Sequence, residues 1–402
     1  MTREMVKGRI ERIASCSRIQ EALRSFDMRI NEIVDWIVAV QQIPAPTFFE
    51  VNRAEFIESQ FTRIGLIDVH RDSLNNVFGR LPGSNPAANK PVVISAHSDT
   101  VFPAGTDLGV RKENQALFGP GIGDNSTGVA GLFVLADTLR LFNLQPRADV
   151  WFVSNVGEEG LGDLCGMRAV IDHFGRQATY IVVEGGLFGQ IAHEGVGVRR
   201  FRISVETTGG HSWGSFGTAS AIHEISHLVA AIARLNVPAA PKTTYNVGVI
   251  EGGTSVNTIA SKASILLDLR SENGAELERL VNLVSEIVHR AQQRVNRRRN
   301  NVKIGIEPVG NRPAGRIPRT TPIVRWAEEA LRYAGSPSVL YVAGSTDANI
   351  PLSLGIPSVC IGLTESANSH RLDEYIDTKY LPSGLTQLLL LSMAAGNYHN
   401  LD

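Results

Sequence analysis

Residues 92–96 (VVISA), 150–156 (VWFVSNV) and 180–183 (YIVV) are apolar along nearly all their length, without polar–apolar alternation. Short runs of that kind read as strands buried on both faces of a covered sheet. Between the first two lies 129–141, whose apolar residues recur at helical spacing. Buried strands alternating with helices restrict the chain to the α/β class, and the expected core is a mostly parallel central sheet with helices on both faces. The first 65 residues read mostly as helix, with Ile30, Ile33, Trp36 and Ile37 on one stripe.

The pattern changes near Gly195. Residues 200–206 (RFRISVE) alternate polar and apolar, as a strand with one wet face does. A helix over 220–235, strands at 245–250 and 263–270, a helix from 275 to about 294 and a strand at 302–307 follow. That β-α-β-β-α-β order predicts a small lid or dimerisation domain over 196–310. It would interrupt a catalytic domain made of 1–195 and 311–402, and 402 residues suffice for two cores.

Composition removes several classes. A net charge of −1 gives no electrostatic case for nucleic acid or an acidic membrane surface. The basic cluster of Arg294 and Arg297 to Arg299 reads as a solvated helix end. Cys16, Cys165 and Cys360 are odd in number and form no CxxC pair, which argues for a reducing compartment and against a thiolate zinc site. The first 24 residues are charged throughout, with no apolar h-region, and no apolar run approaches 18 residues. The expectation is a cytoplasmic protein without signal peptide or membrane span.

The chemistry-bearing residues cluster at the ends of the apolar runs. His97-Ser98-Asp99 follows the first; on a strand His97 and Asp99 share a side, so Asp99 can accept from the far ring nitrogen of His97. Gly119-Pro120-Gly121-Ile122-Gly123-Asp124 opens a helix but lacks the GK[ST] ending of a phosphate loop, which leaves Asp124 as a helix cap or a bridging carboxylate. Glu158 and Glu159 follow the second run. Adjacent buried acids are costly unless cations compensate, and one ligand with one general base is a natural division. Glu184 tips the third run, and His370 stands in a C-terminal loop before Asp373 and Glu374. In open α/β sheets, ligands bind beyond the carboxyl ends of the strands. Two imidazoles and three carboxylates around two divalent cations leave one positive charge, which a metal-bound hydroxide would neutralise while serving as nucleophile.

With these segments the chain resembles the co-catalytic zinc hydrolases that include aminoacylase, carboxypeptidase G, succinyl-diaminopimelate desuccinylase and tripeptide aminopeptidase, over nearly its whole length. The resemblance implies metal ligation by His97, Asp124, Glu159, Glu184 and His370, with Glu158 as general base and Asp99 supporting His97. It further implies that His211, in GGHS, reaches an active site, in trans across a homodimer, and that Asn257 and Arg270 bind substrate backbone or carboxylate. Asn125-Ser126 stand where many members carry Met-Lys or Asp-Lys, a departure that spares the ligand set and bears on the subfamily.

Two other motifs compete. His223-Glu224-Ile225-Ser226-His227 is a formal HExxH, but no metzincin continuation follows, and a surface or dimer-contact face is expected instead. Gly210-His211-Ser212-Trp213-Gly214 fits GxSxG, with Asp347 and His370 in triad order, yet 200–206 does not read as the buried strand a nucleophile elbow requires. A dimeric binding module that has lost its chemistry is disfavoured, because every ligand position and the base are present. The expected function is two-metal cleavage of short peptides by a di- or tripeptidase or exopeptidase, with deacylation of N-acyl amino acids as the alternative. Zinc is the expected ion, and cobalt or manganese would also fit.

Overall fold

The computed structural model describes residues 8–297, 301–336 and 338–398. Arg298 and Arg299 of the basic cluster, and the first seven residues of the charged N-terminal segment, lie outside them. The chain divides into two compact units, one made of the residues up to Gly195 and from Arg316 onward, the other Val196–Gly315. Strands β1 (Ile67–Arg71), β2 (Val77–Leu81), β3 (Val92–His97), β4 (Val150–Asn155), β5 (Thr179–Glu184) and β6 (Gln190–Gly195) belong to the first unit. Strands β7 (Gly197–Glu206), β8 (Thr243–Gly252), β9 (Lys262–Ser271) and β10 (Lys303–Arg312) belong to the second, and β11 (Leu340–Gly344) and β12 (Ser358–Gly362) return to the first.

The first unit is built on a mixed sheet in the order β1-β2-β4-β3-β5-β12-β6, with β11 alongside β6. Its middle is parallel: β3 pairs with β4 and β5, and β5 with β12. The flanks correct the mostly parallel expectation. β2 runs antiparallel to β4 and forms a hairpin with β1, and β6 runs antiparallel to β12. β1 and β2 are joined by a short turn and so reverse, whereas the parallel pairs need crossovers; helix α1 (Val51–Ile64) precedes β1, and helix α2 (Thr127–Leu141) supplies the crossover between β3 and β4. Every residue of β3 is buried, which is why its sequence shows no alternation. α2 is buried on nearly all sides, from Val129 to Leu139, and each such large aliphatic side chain contributes about 1.5–3 kcal/mol.

A second, smaller sheet in this unit went unread in the sequence. It joins Glu365–Ala367, Tyr375–Asp377, Ala116–Phe118 and Arg111–Glu113 in that order. Three-residue strands are too short to show a period. They nonetheless bring the C-terminal hairpin carrying His370 onto the segment that leads into the glycine loop, through the pairing of Tyr375 with Phe118.

The second unit is a four-stranded antiparallel sheet, β8-β9-β7-β10, with helices α3 (Ala221–Ile232) and α4 (Gly274–Arg297). Ile203, Val205, Ile265, Leu267 and Leu269 pack with Ile225, Leu228, Leu280 and Val284 in its own core. The alternation at 200–206 thus belongs to an interior strand of a sheet covered on one face. Among the described residues, no helix is long and apolar enough to cross a membrane, and Cys16, Cys165 and Cys360 are all free thiols.

Candidate metal centre

His97 is the last residue of β3 and Glu184 the last of β5, so two neighbouring parallel strands deliver an imidazole and a carboxylate to the same sheet end. Asp124 comes from the glycine loop before α2. His97 Nε2 lies 3.1 Å from Asp124 Oδ1 and 3.6 Å from Glu184 Oε2. On the other side of Asp124, His370 Nε2 lies 3.2 Å from Oδ2 and 3.1 Å from Glu159 Oε1. Two adjacent groups of potential metal ligands result, His97–Asp124–Glu184 and Asp124–Glu159–His370, each with its donor atoms within 4.8 Å of one another. Among the described residues no other group of three histidine, cysteine or acidic side chains converges in this way.

The donor chemistry suits divalent cations. Burial raises the Glu184 carboxyl above its ordinary value, and the neighbouring Asp124 and Glu159 carboxylates push it further. Burial also works to lower His97, yet Asp124, Asp99 and Glu184 hold its imidazole well above the usual range. Hydrogen bonds to Asp124 and Glu159 lift His370 to about 10. Carboxylates crowded and partly buried in this way favour a positive partner, whether an imidazolium or a divalent cation. Oxygen and imidazole donors without thiolate match zinc, cobalt or manganese, so the arrangement is consistent with a dinuclear site.

The acidic pair is positioned differently from a strand end. Glu158 and Glu159 lie past β4, and their backbone N–H groups donate to Asp99 Oδ1 and Oδ2, each at 2.9 Å. Asp99 also accepts from Thr47 Oγ1 at 2.8 Å. His97 Nδ1 sits 3.1 Å from the backbone oxygen of Asp99 and 3.4 Å from its Oδ1. Asp99 therefore does more than orient His97, because it pins the turn that carries both glutamates. Glu158 is buried but belongs to neither ligand group.

Several contributors were not legible. Arg53 is fully buried and donates to the carbonyls of Ile43 and Ser98, at 2.9 and 2.8 Å, with burial lowering its guanidinium to about 10. Its signal was a cation on the stripe that buries Ala54, Ile57 and Phe61 in helix Val51–Ile64. Asn125, at the position of the subfamily departure, donates to the Val183 carbonyl at 2.9 Å and accepts from the N–H groups of Gly185 and Gly128. It ties the Asp124 loop to the strand ending in Glu184. Glu374 accepts from three N–H groups of the glycine loop.

The other expected residues lie in the second unit. Gly210–His211 pairs with Thr258–Ile259, and Ser212 N–H donates to the Asn257 carbonyl at 3.0 Å, so His211 and Asn257 share one ribbon. His211 Nδ1 accepts from the N–H groups of Trp213 and Gly214, which leaves the ring proton on Nε2 of an exposed side chain. Arg270 Nε donates to Asp268 Oδ2 at 2.6 Å. The HExxH segment falls on α3 with His223 and His227 exposed, while Glu224 is turned inward to Arg294, 2.5 Å away. Arg294 is thus partnered rather than simply solvated. Ser212 of the GxSxG motif lies beside the two-residue strand Gly210–His211, not at the tip of a buried parallel strand.

The family model for Peptidase family M20/M25/M40 matches residues 93–393, which span every member of the two ligand groups. The Bacillus subtilis protein YqjE, itself uncharacterized, is 24% identical over 364 residues, covering 82% of this chain and 90% of that one. DapE of Mycobacterium tuberculosis, described as a candidate succinyl-diaminopimelate desuccinylase, is 28% identical over 297 residues, 71% of this chain and 77% of its own. Among solved structures, a Staphylococcus aureus tripeptidase superposes with a TM-score of 0.74 at 19% identity, covering 92% of this chain and 99% of its own. At that identity the likeness is one of fold.

Proposed function

This chain belongs to peptidase family M20/M25/M40, and from that premise we propose that it cleaves the amide bonds of short peptides, as a cytoplasmic di- or tripeptidase or exopeptidase with zinc as its native ion. The observation that carries this reading is Asp124, whose two oxygens face two separate groups of donors. His97, Asp124 and Glu184 would hold one cation, and Asp124, Glu159 and His370 the other. Bound there, divalent cations polarise a carbonyl and bring the pKa of water toward about 7.

Glu158 is assigned the proton transfers. Its main chain is fixed by Asp99 and its side chain is buried beside a ligand, so it can take a proton from the attacking water and pass it to the leaving amine. His211, with its proton on Nε2, is assigned to donate to the oxygen that becomes negative as the carbonyl carbon turns tetrahedral. Asn257 is assigned to the substrate backbone. Arg270, half exposed beside Asp268, is assigned to a substrate carboxylate, which a guanidinium meets with paired hydrogen bonds. His211 is assigned to act across a homodimer. Co-expression of His211→Ala with Glu158→Gln should then restore about a quarter of wild-type activity, from mixed dimers with one complete site. Mixed dimers with no recovered activity would sink the assignment in trans and leave the metal-ligand reading untouched.

Deacylation of N-acyl amino acids is the second reading, favoured by the identity to the candidate desuccinylase. A panel of di- and tripeptides against N-acyl amino acids, read by amine release with added zinc, cobalt or manganese, separates the two. Higher kcat/KM on peptides is expected. Higher kcat/KM on N-acyl amino acids would reverse the order, and hydrolysis of neither would remove both.

A further inference from the structure

Glu374 is fully buried, four residues beyond His370 on the same hairpin, and it is not one of the candidate ligands. Its Oε1 accepts from the N–H groups of Gly123 and Asp124, each at 2.8 Å, and its Oε2 from that of Gly121 at 3.0 Å. Its own carbonyl accepts from Gly119 N–H at 2.9 Å. Successive N–H groups converging from a glycine loop make an anion cradle, and in this chain the anion is the protein's own carboxylate. The glycines have a local reason. Gly121 has φ +71°, and a Cβ on Gly123 would come within 3.1 Å of Glu374 Oε1 and of Ser366 Cβ. The cradle is therefore shaped around an internal occupant, not an external phosphate.

We propose that Glu374 is the positioning residue for Asp124 and thereby sets the affinity of both cation sites at once. The inference rests on the reading of Asp124 as the shared ligand. One bond from Glu374 ends on the backbone nitrogen of Asp124 itself, and two more fix the turn immediately before it. Asp124 is the residue whose oxygens face both donor groups, so an error in its placement reaches both. The hairpin that supplies Glu374 also supplies His370, so one carboxylate locks together two segments from distant parts of the chain. Residues that orient a metal ligand through hydrogen bonds are worth about 10–100-fold in metal affinity.

Glu374→Gln keeps the shape but removes the charge and turns an amide N–H₂ toward one of the three N–H donors. The test is cobalt titration of metal-free wild type and variant, read by ligand-field absorption, with thermal melts of the metal-free forms measured in parallel. The expected result is two cations per chain in the wild type and at least about 10-fold weaker binding of both in Glu374→Gln, beyond anything a lower melting temperature explains. Glu374→Asp, with the charge kept and withdrawn by one methylene, should fall between them, and it serves as the test if the glutamine variant does not fold. Amide exchange in the metal-free protein gives a readout without any cation: protection at Gly121, the partner of Oε2, should be present in the wild type and lost in the variant, and protection at Gly123 and Asp124 should fall as the loop loosens. Two cations bound with wild-type affinity by Glu374→Gln would overturn the proposal alone. A wild type that takes up no cation would overturn it together with the ligand reading.

Discussion

Helix α3 carries two histidines one turn apart with a glutamate between them, whereas His97 and His370 come from opposite ends of the chain and meet around one aspartate. The helix has the spacing of a zinc site and none of its convergence. Its histidines are exposed, and its glutamate is turned inward to an arginine. The dispersed set has no recognisable spacing, yet its donors lie within 4.8 Å of each other in two groups that share Asp124. The difference lies in what surrounds the residues. A face open to water lets imidazoles keep their hydration, whereas a strand end under a packed sheet forces carboxylates together until something positive joins them.

The comparison breaks most visibly at Asp124. Asp124→Ala should bring amide hydrolysis to background, and the double variant His223→Ala/His227→Ala should keep the wild-type rate. Initial rates on one short peptide check both, and a dead double variant would mean the exposed pair matters. Next in size is Glu158→Gln, expected to keep both cations while kcat falls by about 10²–10⁴. Metal analysis of the purified variant would contradict the division of labour between Glu158 and Glu159 if the cations were missing.

The pH dependence sharpens the same contrast. Hydrogen bonds to Asp124 and Glu159 hold His370 at about 10, and surrounding carboxylates hold His97 well above the ordinary 6.5, so both are protonated at neutral pH in the metal-free protein. Their ion pairs stabilise the metal-free fold fully below about 6.5 and are lost as pH rises toward the raised values. Ligation needs neutral imidazoles, so cation uptake releases protons. Cation affinity should rise between pH 6 and 8 by about tenfold per unit for each proton released, as calorimetry in buffers of different protonation enthalpy would report. A flat profile would mean these imidazoles do not ligate.

The smallest effect belongs to the helix. Glu224→Ala removes a buried carboxylate from a half-exposed arginine, and about 1–2 kcal/mol of stability should go with it. Urea unfolding measures this, and metal content should stay as in the wild type.

What the sequence revealed follows the same divide. His97 and Glu184 could be picked out because a buried strand reads as an unbroken apolar run, and a polar residue closing it is conspicuous. The α/β alternation was legible for that reason too. Strand direction at the flanks was not, since β2 and β6 are set by hairpin and packing geometry that no local pattern encodes. Glu374 stood in view as an acid after His370, but its role depends on N–H groups some 250 positions earlier and on three-residue strands that carry no period. Arg53 was hidden because one cation on an apolar stripe resembles an ordinary helix edge. Arg270 was legible as a carboxylate-binding candidate, but its bond to Asp268 through Nε was not.

The claim that convergence, not spacing, makes the metal centre is tested most directly by counting cations. Metal-free wild type, Asp124→Ala and His223→Ala/His227→Ala would each be titrated with zinc and the bound ions measured after dialysis. The account predicts two per chain in the wild type and in the double-histidine variant, and none held tightly in Asp124→Ala. Two ions retained by Asp124→Ala, or ions lost from the double-histidine variant, would contradict it.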